Sequence, residues 1–222
     1  MAEASPAPAP AARLMSSPEE AAYELRSQEG AIWTGGRMLI GIGAFVYASL
    51  AFAYFYLRSA NNSDLWEPKG LTAPQTLGAA VFAVAIASVA FNVYGMLRMR
   101  RGEGLDWEVS GWTAVGGLLL ACGLQAYEMT RLPFFPGSSG YSSVFVGWGV
   151  LNAATLLLAA YWLETLLARV LRLRRAVAED GGPARSTAPP ARLFRANLES
   201  CTYFLGFLAL VELLFWVVFY LI

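Results

Sequence analysis

The stretch from Cys201 to Ile222, CTYFLGFLALVELLFWVVFYLI, decides the fold. One residue in it, Glu212, carries a formal charge. About 20 apolar residues in a helix cross the hydrocarbon core of a bilayer. Lipid offers no hydrogen bonds to the backbone, so a run of this length must satisfy its peptide groups internally, as a helix. Four further runs have the same character: about Met38 to Leu57, Thr76 to Leu97, Val109 to Tyr127 and Ser143 to Leu163. They are continuous rather than alternating, unlike the short strands of an outer-membrane barrel. Of the 222 residues, 57% are apolar and 14% charged, an unusual balance for a soluble domain of this length. The expected class is an all-α integral membrane protein, a bundle of five transmembrane helices.

The arginines give the crossings a direction. Arg13, Arg26, Arg37, Arg98, Arg100, Arg101, Arg169, Arg172, Arg174, Arg175, Arg185, Arg192 and Arg195 fall in segments that five crossings place on one side. Only Arg58, Lys69 and Arg131 fall on the other. Basic residues concentrate on the cytoplasmic side, which predicts a cytoplasmic N-terminus and an external C-terminus. The formal net charge is zero, so no nucleic-acid partner is expected.

A short tail and a single domain follow. Residues 1–30 predict a cytoplasmic tail, Ala- and Pro-rich over its first 15 or so positions and without the apolar core of a secretory signal. Within it, Ser17-Pro18-Glu19-Glu20 reads as a capped start of a short amphipathic helix that Gly30 would end. Residues 31–222 form the five-helix domain. Its one long connection, about 170–198, is rich in Ala, Gly, Pro and Ser from Val177 to Ala191 and predicts a flexible cytoplasmic linker. Trp33, Trp66, Trp107, Trp112 and Trp162 crowd the span ends as an interfacial belt would. Gly35, Gly36, Gly41, Gly43, Gly116 and Gly117 are placed to let helices approach closely.

Chemistry-bearing residues are few. The chain has no histidine, and its two cysteines, Cys122 and Cys201, stand apart in apolar runs. Haem, copper and catalytic zinc need His, Cys or carboxylate clusters, so no cofactor or metal site is expected in this chain. No catalytic triad, phosphate-binding loop or zinc motif occurs. The intramembrane polar residues are therefore the candidates. Glu212 must be protonated, paired or turned to a polar crevice, and any partner must come from another helix or another subunit. Gln125 and Glu128 share a face of the third helix, with Glu128 near enough its end to reach headgroups or water. Ser88 and Asn92 share a face of the second and predict interhelical hydrogen bonds. Glu164 and Glu199 are expected as interfacial anchors, Glu199 in the first turn of its helix.

Three stretches resemble subunit III of the haem-copper oxidases. The first span ends AFAYFYLR, Ala51 to Arg58, followed by Trp66-Glu67-Pro68. The second carries Ser88. The third ends GLQAYE, Gly123 to Glu128, and Tyr141-Ser142-Ser143-Val144-Phe145 opens the fourth, similar to that family's Gln-x-x-Glu helix end and Tyr-x-Ser-x-Phe start. The similarity runs over about residues 35–222. The departures are definite. The family's usual form has seven spans, and its helix-borne histidines are absent here, with Leu151, Ala154 and Gly206 in the corresponding regions.

The resemblance implies a non-catalytic subunit in a bacterial plasma membrane. It would pack on oxidase catalytic subunit I and subunit II, which hold the haem and copper, bind membrane lipids, and support assembly and proton uptake. Tyr141 and Ser143 become candidate structural residues on this ground, and Arg58 and Trp66 candidate lipid or interface residues. Two alternatives stay open: a subunit III-like accessory protein of a nitric oxide reductase, and an unrelated membrane scaffold or transporter.

Overall fold

Ser17 opens the first helix in the computed structural model, which describes residues 17–60, 66 and 72–222. Glu67, Pro68, Lys69 and Arg13 lie outside the described residues. The Ser17 hydroxyl accepts from the Glu20 amide at 3.2 Å, and the Glu20 carboxylate accepts from the Ser17 amide at 2.7 Å, satisfying two orphan donors reciprocally. From there α1 runs unbroken over Pro18–Ser59, 42 residues. The expected stop at Gly30 does not occur. A helical glycine costs about 1 kcal/mol relative to alanine, and contacts on either side oppose that loss. Glu29 takes a two-pronged bond from Arg192, at 2.9 Å on each oxygen, and Trp33 meets Tyr203 edge-on at 5.3 Å.

Four more helices follow: α2 Gln75–Arg100, α3 Gly104–Thr130, α4 Gly140–Ala176 and α5 Pro189–Tyr220. All five are long and apolar enough to cross a membrane, as the hydropathy predicts, and the chain is a multi-pass helical protein. The α2–α3 turn uses Gly102 at φ +88°, a conformation that side chains disfavour. The Ser139 and Ser142 side chains cap α4 reciprocally.

The helices α2, α3, α4 and α5 pack in a ring, each against its two neighbours, and α1 lies outside it against α4 and α5. Half of the apolar stretch of α5 is buried, against 11% of that of α1, so α5 is the most enclosed helix and α1 the flank. Close approach depends on small residues, as expected for helices in lipid. Gly36 faces Ser200, Gly43 faces Phe207 and Gly117 faces Ser88. Gly35, Gly41 and Gly116 face open space instead. Three glycines outside the expected set make further tight seams: Gly78 on Tyr220, Gly95 on Ser110 and Gly111 on Leu167.

The linker expected between the fourth and fifth spans is shorter and more structured than its composition predicts. Only residues 177–188 separate α4 from α5. Gly181 and Gly182, at φ +83° and +79°, turn the chain back on itself. The Gly182 and Ser186 amides close turns at 2.9 Å, and the Arg195 guanidinium donates to the carbonyls of Pro183 and Ser186 at 2.8 Å. Glu199 is therefore well inside α5 rather than in its first turn, and it pairs with Arg100 at 2.8 Å. Arg174–Glu108 at 3.0 Å and Arg98–Asp106 at 2.7 Å tie the same, arginine-rich end of the bundle. Trp107 departs from the aromatic belt: it is fully buried against Phe194.

Candidate functional site

The backbones of α3 and α5 face each other across the ring without close approach. Polar side chains bridge that diagonal. Gln125 and Glu128, one turn apart on α3, both point inward and are completely buried. The Gln125 amide nitrogen donates to Glu128 Oε2 at 2.7 Å. From α4, Asn152 Nδ2 donates to Gln125 Oε1 at 3.2 Å and to Glu212 Oε1 at 2.8 Å. From the end of α5, the Tyr220 hydroxyl donates to Glu128 Oε1. One continuous network, Tyr220–Glu128–Gln125–Asn152–Glu212, thus joins three helices with two acids in it.

Each bond has a local reason. The i, i+3 spacing of Gln125 and Glu128 lets one supply the donor the other needs. An amide is the side chain suited to the centre, because its two N–H groups can serve two acceptors at once. Asn152 does so. Its backbone carbonyl accepts from Thr155 Oγ1 at 3.0 Å, and that hydroxyl shares a 2.7 Å bond with the Tyr47 hydroxyl of α1. The flanking helix is tied to the same locus by that route.

The expected site residues divide. Glu212 finds its partner on another helix, in Asn152. Glu128 does not reach headgroups or water; it is buried inside the ring, because Gln125 and Tyr220 satisfy both its oxygens there. Asn92 bonds across to Thr202 of α5 at 2.9 Å. Among the described residues Ser88 makes no interhelical bond of this kind: its hydroxyl returns to the Val84 carbonyl of its own helix at 2.7 Å. Ser143 closes the start of α4, donating to the Ser139 carbonyl at 2.9 Å and accepting from the Gly137 amide at 3.2 Å.

Tyr141 sits in an aromatic cluster with Trp66, Phe134, Phe145 and Phe219, and its hydroxyl donates to the Phe219 carbonyl at 3.2 Å. The Trp66 carbonyl accepts from the Tyr141 amide at 3.2 Å. Arg58 donates to the Tyr54 hydroxyl at 3.3 Å and to the Ile222 carbonyl at 3.2 Å.

Sequence reasoning missed Asn152 and Tyr220. Asn152 carried a usable signal, since a lone amide in the run from Ser143 to Leu163 is costly in lipid unless bonded. Tyr220 carried none, because a tyrosine near a span end ordinarily belongs to the interfacial belt. The two carboxyl groups and the phenol can take up, hold and pass protons, and the amides between them tie three helices together. Comparison with protein-family models and with curated proteins finds no match for this chain.

Proposed function

We propose that this chain is a non-catalytic, subunit III-like component of a haem-copper terminal oxidase in a bacterial plasma membrane. It would lie with its N-terminus in the cytoplasm and serve assembly, lipid binding and proton uptake by the catalytic subunit. The observation that carries this reading is where the family-like residues fall. Gln125 and Glu128 form the α3 side of the buried network, and Tyr141 and Phe145 form the aromatic cluster beside it. A likeness owed to generic apolar helices would fall on lipid-facing positions as readily as on these inward polar ones. The uneven arginines support the orientation. The flank supports the partner: Met38, Ile42, Phe45 and Phe52 leave α1 exposed along its length, in keeping with a neighbour in the membrane plane.

The test is purification of the tagged chain from its native membrane. A stoichiometric haem-copper catalytic subunit, with its haem visible in the absorption spectrum, is the expected result. Isolation with no haem protein would overturn the proposal, and a nitric-oxide-reducing partner would transfer the chain to that complex.

A further inference from the structure

The buried network has one end near water. At the arginine-poor end a pocket of about 320 Å³ opens between the ends of α1, α2, α4 and α5, and Tyr220 is one of its walls beside Arg58, Trp66, Gln75 and Tyr141. The same Tyr220 hydroxyl reaches Glu128. A path of hydrogen-bonding groups therefore leads from a surface pocket, through one phenol, to a carboxyl group sealed inside the ring. This geometry does not depend on which complex the chain joins.

We propose that Glu128 is a proton-binding site loaded from the arginine-poor face through Tyr220, with Gln125 and Asn152 coupling it to the second acid, Glu212. The step balances as a relay. The Tyr220 hydroxyl passes its hydrogen to Glu128 Oε1, and the phenol oxygen takes a proton from the aqueous phase in the pocket. The products are a neutral carboxylic acid and an unchanged phenol. Glu128 Oε1 is the receiving atom, because it is the oxygen that the Tyr220 hydroxyl already reaches, while Oε2 accepts the Gln125 N–H.

Beyond Glu128 the relay stops being protonic. An amide holds its hydrogens, so Gln125 and Asn152 transmit orientation and charge rather than a proton. The groups facing the unit from the surrounding helices are consistent with this. From α1 come Tyr47, close enough to Glu212 to interact electrostatically, and Tyr54 and Arg58 at the pocket. From α4 comes Tyr141, beside Tyr220. From α2 comes Gly78, which has no side chain to titrate and lets the Tyr220 ring lie against the helix backbone.

The experiment uses the whole chain in lipid vesicles, with deuterium oxide as the probe. Infrared difference spectra follow the carbonyl stretch of protonated carboxylic acids as hydrogen exchanges for deuterium. Glu128→Gln and Glu212→Gln assign the two carbonyl components. The component assigned to Glu128 is expected to exchange in deuterium oxide and to change its protonation after a pH step applied to the arginine-poor side alone. Tyr220→Phe, which keeps the ring against Gly78, is expected to slow that exchange by roughly 10²-fold, the low end of what a positioned proton-transfer group contributes. An unchanged rate in Tyr220→Phe overturns the proposal. So does a Glu128 component that responds only to a pH step on the arginine-rich side, a measurement on the unaltered chain that needs no variant to fold. Absence of a protonated Glu128 component at every pH the vesicles tolerate overturns it too.

Discussion

Replacing Asn152 by leucine should cost more than replacing either acid-side partner it touches. Leucine is close to asparagine in shape, so the packing change is small and the loss is of hydrogen bonds. Two disappear: Nδ2 to Gln125 Oε1 and Nδ2 to Glu212 Oε1. Measured interhelical hydrogen bonds in membrane proteins average about 0.6 kcal/mol and reach about 1.7. Two bonds give about 1–3 kcal/mol, in the upper part of that range because both stranded acceptors are buried.

Glu212→Leu strands only one N–H of Asn152 and should cost about 1 kcal/mol. Glu212→Gln keeps an Oε1 that can accept the same bond and should stay within about 0.5 kcal/mol of the unaltered chain. The double variant Asn152→Leu, Glu212→Leu removes both partners of one bond and should be less destabilised than the two single losses added together. The assay is reversible unfolding in mixed micelles by titration with a denaturing detergent, followed by circular dichroism. The order Asn152→Leu, then Glu212→Leu, then Glu212→Gln is the expectation. An Asn152→Leu variant as stable as the unaltered chain would refute the reasoning. Glu212→Gln costing as much as Glu212→Leu would refute it as well, since charge rather than hydrogen bonding would then govern the site.

Other consequences are checkable in the same preparation. A Cβ on Gly36 would collide with Ser200 Oγ but meet Ser200 Cβ at 3.3 Å. Gly36→Ala should therefore destabilise by about 1–3 kcal/mol, and adding Ser200→Ala should restore most of that loss in the same titration. Arg192→Gln breaks a partly exposed pair with Glu29, so global stability should change by less than about 1 kcal/mol; hydrogen exchange should nonetheless accelerate in the first turns of α1. With Cys122 and Cys201 replaced by alanine, single cysteines introduced at the exposed positions Thr187 and Ser138 should label from opposite sides of the membrane with an impermeant thiol reagent, Ser138 from outside intact cells. Labelling of both from one side, or of the Thr187 position from outside, would overturn the orientation drawn from the arginines.

The spans were legible because a run such as Cys201 to Ile222 has few ways to exist in lipid. The ends of the helices were less so. Hydropathy starts the first span near Met38 and the fifth near Cys201, yet α1 begins at Pro18 and α5 at Pro189. The extra turns are polar, and Glu29–Arg192 holds them in place, a pairing 163 positions apart that no local pattern can reveal. The site follows the same division. Gln125 and Glu128 share a face by spacing alone, so their partnership was visible on one helix. The bonds from Asn152 to Glu212 and from Tyr220 to Glu128 span 60 and 92 positions. They depend on which faces the ring turns inward, and that depends on Gly78, Gly95 and Gly111 as much as on the polar residues themselves.

The unbroken α1 has a mechanical meaning. At 1.5 Å per residue its 42 residues extend about 63 Å, roughly twice the hydrocarbon thickness. It is a beam without a hinge, clamped partway along by Arg192 and Tyr203 and reaching Thr155 through Tyr47 deeper in. One unbroken helix thus runs from Ser17 at the arginine-rich end to Tyr47, which meets the carbonyl of Asn152 through the Thr155 hydroxyl.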